Sequence, residues 1–334
     1  MIFYKILFSF CLMIGSLISI TSNTWMGMWM GLEINLLSII PLMNNKKNVY
    51  ASEASMKYFI TQALASTILL ISIILMSKIY SLMWLNNYLM ISFNTALLTK
   101  MGTAPFHFWF PEVMEGLSWM NCFILLTWQK IAPMILLMYN LSQPILFSFV
   151  IIMSMLISGV MGLNQISLRK IMAYSSINHI GWMISSMMFM NSIWMYYFLI
   201  YSIISMNLIV MFKMFNIFFI KQLIALNFNF INKFLFIFNL ISLGGLPPFL
   251  GFMPKWLTIQ TLINSNQYLL SIVMIMLTLL TLFYYLRMSY STLMFNSSEL
   301  NFTLKPKFNS FMPMTLNLLS ISGLIICTSL FNLL

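Results

Sequence analysis

Long apolar runs separated by short polar segments account for almost the whole chain. A membrane-spanning helix needs about 20 successive apolar residues, and the apolar pattern predicts eleven such helices. The fourth and the ninth are interrupted by Gly and Pro and are predicted to be broken. The predicted helices are residues 3–21, 25–43, 56–77, 86–114 (broken), 119–139, 145–163, 168–189, 193–214, 233–263 (broken), 268–291 and 311–333.

The composition is typical of a protein that lies mostly within a bilayer. The 334 residues are 61% hydrophobic and 6% charged, with a mean hydropathy of +0.94, whereas soluble domains carry about 25% charged residues. We therefore expect an all-α, polytopic membrane protein with a single membrane domain over residues 1–334. The first apolar run continues into Thr21 without a small-residue cleavage site, which indicates a retained helix rather than a signal peptide.

The net charge is +11, and many of the basic residues lie between the predicted helices. Lys and Arg collect in the loops after even-numbered helices, whereas the loops after odd-numbered helices hold little beyond Lys78. Positive residues stay on the side of insertion, which places the N-terminus on that side and the C-terminus on the other. Because these residues are scattered, nucleic-acid binding is not indicated. The basic residues that follow even-numbered helices are Lys46, Lys47, Lys57, Arg169, Lys170, Lys213, Lys221, Lys233, Lys305 and Lys307.

The two broken helices share a short sequence pattern, Pro-Phe followed by four residues and a second Pro. It begins at Pro105 and at Pro248. The helices that carry it are five apart, so they cross the membrane in opposite senses, which predicts an inverted repeat. We expect a first repeat over 1–140, a second over 145–293 and an extra C-terminal helix over 311–334. The residues that break the helices are Gly102, Pro105, Pro111, Gly244, Gly245, Pro247, Pro248 and Pro254.

Glu33 lies near the middle of predicted helix 2, close to Gly27 and Gly31, whose spacing allows two helices to approach closely. A lone charge at the bilayer centre costs roughly 2.5 to 3.5 kcal/mol, so we expect Glu33 to face protein and to need a cationic partner. Lys100, just before the first break, is the candidate. The alternative for Lys100 is a side chain that reaches the lipid headgroups.

Three further ionisable side chains are predicted at membrane depth. Lys130 lies halfway along helix 5, Lys255 follows the second break, and His179 belongs to a polar stripe on helix 7. Apolar surroundings disfavour a charged amine, so a buried lysine can give up its proton. The alternatives are an interfacial Lys130, a loop position for Lys255 and a simple interhelical hydrogen bond for His179.

Other polar residues have weaker signals. His107 and Glu112 could line an entry vestibule near the first break, although solvation in a loop explains Glu112 and Glu115 equally well. Cys11, Cys122 and Cys327 are far apart in apolar runs, and histidines are not clustered. Disulfide, iron–sulfur and zinc sites are therefore not expected.

Several longer motifs coincide with these segments. They are GLEINLLS at 31–38, the run at 51–63, APFHFWFPEVMEG at 104–116, TWQKIAP at 127–133, GLNQISLRKIMAYSSINHIGWM at 162–183 and SLGGLPPFLGFMPKW at 242–256. Together they resemble the antiporter-like membrane subunits of mitochondrial NADH-ubiquinone oxidoreductase, respiratory complex I, of the insect type. The resemblance extends over nearly the whole chain.

The resemblance implies a proton-pumping subunit of the membrane arm. In this family a glutamate–lysine pair, a central lysine and a lysine in a broken helix carry the proton path. By motif these fall on Glu33, Lys100, Lys130 and Lys255, and the family histidine falls on His179. These are the residues that the cost of membrane burial also singles out.

The resemblance also implies where the chain works and what surrounds it. It would lie in the mitochondrial inner membrane, with the N-terminus on the matrix side and the C-terminus in the intermembrane space. Its partners would be other membrane-arm subunits, accessory subunits and phospholipids such as cardiolipin. No cofactor is expected on this chain, and NADH, FMN, iron–sulfur clusters and ubiquinone would be bound by partner subunits. Longer family members have three more N-terminal helices, which makes independent antiport by this chain unexpected.

The leading hypothesis is that electron transfer elsewhere changes the Glu33–Lys100 pair, whose altered field drives a proton from Lys130 towards Lys255. One rival is a self-standing sodium/proton antiporter, which the same repeat and buried lysines would serve. A second rival is a structural scaffold in which the charges only pair helices through dry salt bridges.

Overall fold

Helices make up nearly all of the chain in the computed structural model, which describes residues 2–44, 48–78, 83–225, 230–247 and 249–294. Within these ranges the β-type backbone pairing is limited to an isolated bridge between Ser167 and Phe219. The all-α prediction is therefore confirmed. Some predicted features lie outside the described residues, namely Lys46, Lys47, Pro248, Lys305, Lys307, Cys327 and the helix at 311–333.

The chain divides into two compact units, of which the first ends at Val150 and the second begins at Ile151. The helices that begin in the first unit are α1 (Ile2–Thr21), α2 (Trp25–Met43), α3 (Val49–Lys78), α4 (Met83–Met101), α5 (Trp109–Gly116), α6 (Trp119–Leu126), α7 (Trp128–Met138) and α8 (Pro144–Leu163). Those of the second are α9 (Leu168–Met187), α10 (Asn191–Met214), α11 (Ile220–Ala225), α12 (Phe230–Gly244), α13 (Phe252–Asn264) and α14 (Tyr268–Met294).

Most predicted helix boundaries agree with these elements to within three residues, and two predicted helices differ from the structure in detail. α3 begins at Val49 instead of residue 56, because its first turns are amphipathic: Ala54 and Tyr58 are buried while Lys57 is exposed. A search for unbroken apolar residues overlooks such a turn. The helix predicted at 119–139 is interrupted at Thr127 and forms α6 and α7.

Seven helical stretches in the described part are long and apolar enough to cross a membrane. They are α1, α2, α3, the pair α6 and α7, α8, α10 and α14. α9 is too polar to belong to this set, yet every side chain from Ile171 to Met187 is buried. α9 is therefore surrounded by protein, which is where a membrane protein can place polar side chains.

α1 and α2 pack closely because two glycines meet at their crossing. A Cβ on Gly31 would lie 2.8 Å from the Gly15 carbonyl oxygen and against the backbone of Ser19. Close backbone approach of this kind is the usual role of small residues between membrane helices. The predicted pair, Gly27 with Gly31, was therefore half right: Gly27 faces Ser22 and Thr24 of the preceding turn.

Replacing Gly31 by Ala should destabilise this crossing. The added methyl group would force α1 and α2 apart, and overpacking of this kind costs about 1–3 kcal/mol. The measurement is the thermal unfolding midpoint of the protein in detergent. Gly27→Ala is the matched control, since it makes the same change on the same helix against side chains alone. Equal losses in the two variants would contradict this packing of α1 against α2.

Candidate functional site

Both predicted breaks begin with a glycine in the left-handed conformation. α4 ends at Met101 and α12 ends at Gly244, and the next residues, Gly102 and Gly245, have φ of 73° and 77°. Residues with a Cβ adopt such angles only at a cost. The backbone thus requires glycine at the same point of each break.

The helices also resume in the same way after the two breaks. α5 begins at Trp109 and α13 at Phe252, equally far from the glycine that ends the preceding helix. Pro111 and Pro254 each stand third in the new helix, where a missing N–H leaves no helical carbonyl unpaired. The correspondence found in the sequence is therefore one of backbone structure. The inverted repeat over 1–140 and 145–293 remains a prediction.

Lys100 lies in the last turn of α4 and is 7% exposed. The Glu33 carboxylate, on α2, interacts electrostatically with its ammonium group, although these two described residues form no direct ion pair. The Gln62 side chain of α3 donates a hydrogen bond to the Lys100 carbonyl oxygen over 3.3 Å. The predicted partners are thus in the same part of the first unit, and Lys100 is buried in protein.

Lys130 is 1% exposed and lies between two helix irregularities. Thr127 separates α6 from α7, and its hydroxyl donates to the Phe123 carbonyl over 2.8 Å, a bond that bends helices. Pro133 removes a backbone donor six residues after Thr127. The Lys130 ammonium lies 5.2 Å from the centroid of the Phe110 ring, a distance at which a cation is attracted to a ring face.

A partly buried chain of hydrogen bonds beside Lys130 joins three helices of the first unit. The Tyr58 hydroxyl donates to the Gln129 side-chain oxygen over 3.3 Å. The Gln129 amide in turn donates to the Asn35 side-chain oxygen over 2.8 Å. Asn35 is two residues from Glu33, and Gln129 adjoins Lys130. The chain therefore fixes the elements that carry both ionisable groups.

His107 and Glu112, the predicted vestibule, have different surroundings. The His107 side chain is 2% exposed, and its Nδ1 lies 3.3 Å from the Pro105 carbonyl oxygen within the break. Glu112 forms an ion pair with Lys57 over 2.6 Å, and about half of each side chain is exposed. Glu112 is thus at the surface of the first unit, and a vestibule remains a prediction.

Lys255 is 6% exposed and stands fourth in α13. Its ammonium donates to the Gly244 carbonyl oxygen over 2.8 Å and approaches the Leu243 carbonyl at 3.5 Å, so it reaches back to the end of α12. It also lies 5.9 Å from the centroid of the Trp182 ring on α9. These positions exclude the alternative of a loop lysine.

The polar residues of α9 contact several different helices. The Asn178 amide donates to the Thr281 hydroxyl of α14 over 3.3 Å. His179 Nδ1 and the Tyr197 hydroxyl of α10 are 2.9 Å apart, and Trp182 faces Lys255 of α13. The polar residues that form a single stripe in the sequence therefore contact several helices, because α9 is enclosed in protein.

Within each unit, the structure brings predicted residues together and adds others that the sequence reasoning missed. The missed residues are Asn35, Tyr58, Gln62, Gln129, Tyr197 and Thr281. The sequence signal for these residues is a hydroxyl or amide side chain inside an apolar run. Many membrane helices contain such side chains, so this signal does not single out a functional site. The described residues contain no group of three or more His, Cys, Asp or Glu side chains that could hold a metal ion.

An enclosed polar helix, two matching helix breaks and buried amines define a class of membrane protein that moves ions through its interior. The family model described as NADH:quinone oxidoreductase/Mrp antiporter, TM, matches residues 22–281. The chain belongs to this family.

Individual relatives agree with this assignment. NADH-ubiquinone oxidoreductase chain 2 of Aedes aegypti is 52% identical over 98% of both chains, and that of Anopheles gambiae is 51% identical over 97% of both. A chain of respiratory complex I from Thermus thermophilus, solved with bound aureothin, matches with a TM-score of 0.85. That match covers 96% of this chain and 78% of the other at 21% identity, so it supports the fold alone.

Tyr197→Phe should destabilise the second unit. The substitution leaves His179 without its 2.9 Å partner on α10, and loss of a partner from a buried polar group costs about 1–3 kcal/mol. Thermal unfolding of the purified protein measures the effect. Tyr196→Phe, at a neighbouring side chain that is 60% exposed, is the control and should change little. A Tyr197→Phe variant as stable as the control would argue against the His179 contact.

Proposed function

We propose that this chain is a membrane-arm subunit of NADH:ubiquinone oxidoreductase, respiratory complex I, that moves protons across the membrane. Its relatives at 51% and 52% identity carry that enzyme's name as chain 2. The chain is accordingly a multi-pass membrane subunit of an H+-translocating reductase, and the redox reaction takes place outside it.

The observation that carries the proposal is the burial of three amines at helix irregularities. Lys100, Lys130 and Lys255 are 7%, 1% and 6% exposed. Lys100 ends the helix before the first break, Lys130 lies between Thr127 and Pro133, and Lys255 reaches the carbonyls of the second break. Buried amines with polar neighbours can exchange protons, whereas a structural role alone is better filled by apolar side chains.

In the mechanism we propose, the Glu33–Lys100 interaction is the input. A change in the charge or spacing of this pair, caused by electron transfer in partner subunits, alters the field at Lys130. Lys130 then passes its proton towards Lys255, and Lys255, aided by His179, carries the proton through the second unit. The inverted-repeat arrangement of residues 1–140 and 145–293 would give the two halves opposite access to the two sides of the membrane.

The proposal extends to location and partners. The chain would lie in the mitochondrial inner membrane with its N-terminus on the matrix side, as the distribution of basic residues predicts. Neighbouring complex I subunits would bind NADH, FMN, the iron–sulfur clusters and ubiquinone. Accessory subunits and cardiolipin would contact the apolar outer faces, such as the exposed side chains Phe3, Phe10 and Leu17 of α1.

Lys130→Ala should reduce the number of protons translocated per NADH oxidised while leaving an assembled complex. Removing the amine deletes a proton carrier from a position where water cannot easily replace it. The measurement is proton uptake by proteoliposomes that contain the whole complex. Lys78→Ala, which removes an exposed lysine at the end of α3, is the control and should keep the normal yield.

An unchanged proton yield in Lys130→Ala would contradict the proposed role. Sodium-dependent flux through the purified chain alone would instead favour a self-standing antiporter, which is the function that the other half of the family description suggests.

A further inference from the structure

The end of α12 leaves two carbonyl groups that the backbone does not satisfy. The Gly245 N–H donates to the carbonyls of Ile241 and Ser242, both over 3.1 Å, as expected for a helix that ends in a left-handed glycine. The carbonyls of Leu243 and Gly244 remain. The Lys255 ammonium lies 3.5 Å and 2.8 Å from their oxygens.

The first break satisfies the matching position with a neutral group. At the end of α4 the N–H of Gly102 donates to the Thr99 carbonyl over 3.1 Å. The carbonyl of Lys100, which corresponds to that of Leu243, accepts from the uncharged Gln62 amide over 3.3 Å. The carbonyl at the corresponding position of each break therefore faces an amide donor in the first unit and a charged amine in the second.

Gly245 provides the space in which this cation lies. A Cβ on Gly245 would be 2.7 Å from Cδ and 2.9 Å from Nζ of Lys255. At the first break, a Cβ on Gly102 would meet the aromatic side chains of Trp109 and Phe110. Because the end of a lysine side chain is flexible, a methyl group at position 245 would displace the ammonium from the carbonyls before it disturbed the helix.

Residues 151–298 contain neither Asp nor Glu, so no side chain in that range supplies a carboxylate to balance the charge of Lys255. Its compensation comes from the C-terminal end of α12, which carries a partial negative charge, and from the Trp182 ring at 5.9 Å. A hydrogen bond from a charged donor is about twice as strong as a neutral one. The carbonyls therefore bind the protonated amine more strongly than the neutral one.

We propose that the Leu243 and Gly244 carbonyls form a dock for the protonated state of Lys255, and that Gly245 is the positioning residue that keeps this dock open. The proposal rests on the proposed function in that Lys255 carries a proton. Loss of that proton weakens the bonds to the dock and releases the side chain, so proton transfer and side-chain movement are coupled at this point.

The test compares Gly245→Ala with Lys255→Ala in the assembled complex, reconstituted into proteoliposomes. Lys255→Ala defines the part of the proton yield that depends on this amine. Gly245→Ala should lose most of that part. Asn266→Ala controls for backbone strain, because Asn266 has φ of 61° after the end of α13 and is exposed. It should keep the normal proton yield.

The double variant separates positioning from general damage. If Gly245 acts through Lys255, then adding Gly245→Ala to Lys255→Ala should not lower the proton yield further. The addition should lower the thermal unfolding midpoint by no more than Asn266→Ala lowers it. Additive losses, or a Gly245→Ala variant with normal proton yield alongside an impaired Lys255→Ala, would overturn the dock.

The two measurements also separate this proposal from the proposed function. A normal proton yield in Lys255→Ala would remove Lys255 from the proton path. The unfolding midpoints of the single and double variants would still report whether the Lys255 side chain occupies the dock. If the decreases in midpoint caused by the two substitutions are additive, the dock is refuted even where Lys255→Ala abolishes translocation.

Discussion

The burial of positive charge among apolar helices is the constraint on which the rest of this structure depends. A charged side chain in such surroundings is costly unless something compensates it. The compensation differs at each amine: Glu33 acts on Lys100, the Phe110 ring lies near Lys130, and Lys255 binds helix-end carbonyls. A chain with no Asp and five Glu among 334 residues must rely largely on dipoles and rings.

At the second break, a helix end and a buried amine satisfy each other's unpaired polar groups. A helix that ends inside protein leaves carbonyl groups unpaired, and an amine inside protein lacks an acceptor. At the second break the Lys255 ammonium and the Gly244 carbonyl meet both needs. At the first break the Gln62 amide performs the capping, which leaves the Lys100 ammonium to respond to Glu33. Two breaks that each begin with a left-handed glycine thus give two different electrostatic settings.

The sequence was sufficient for features that depend on local pattern. The apolar runs predicted most helices, and Gly102 and Gly245 marked both breaks, because helix formation and interruption are decided within a few residues. The contacts around the amines were not predictable, since they join distant positions: Tyr58 bonds Gln129 71 residues away, and Asn178 bonds Thr281 103 residues away. The interruption at Thr127 was also missed, because threonine is common in uninterrupted membrane helices.

The enclosure of α9 has a consequence for how many charges the second unit can hold. His179 lies one helical turn from Trp182, whose ring faces the Lys255 ammonium. With no acidic side chain between residues 151 and 298, simultaneous cations at His179 and Lys255 would repel each other through a medium that screens poorly. A positive charge at one of these two positions therefore disfavours a positive charge at the other.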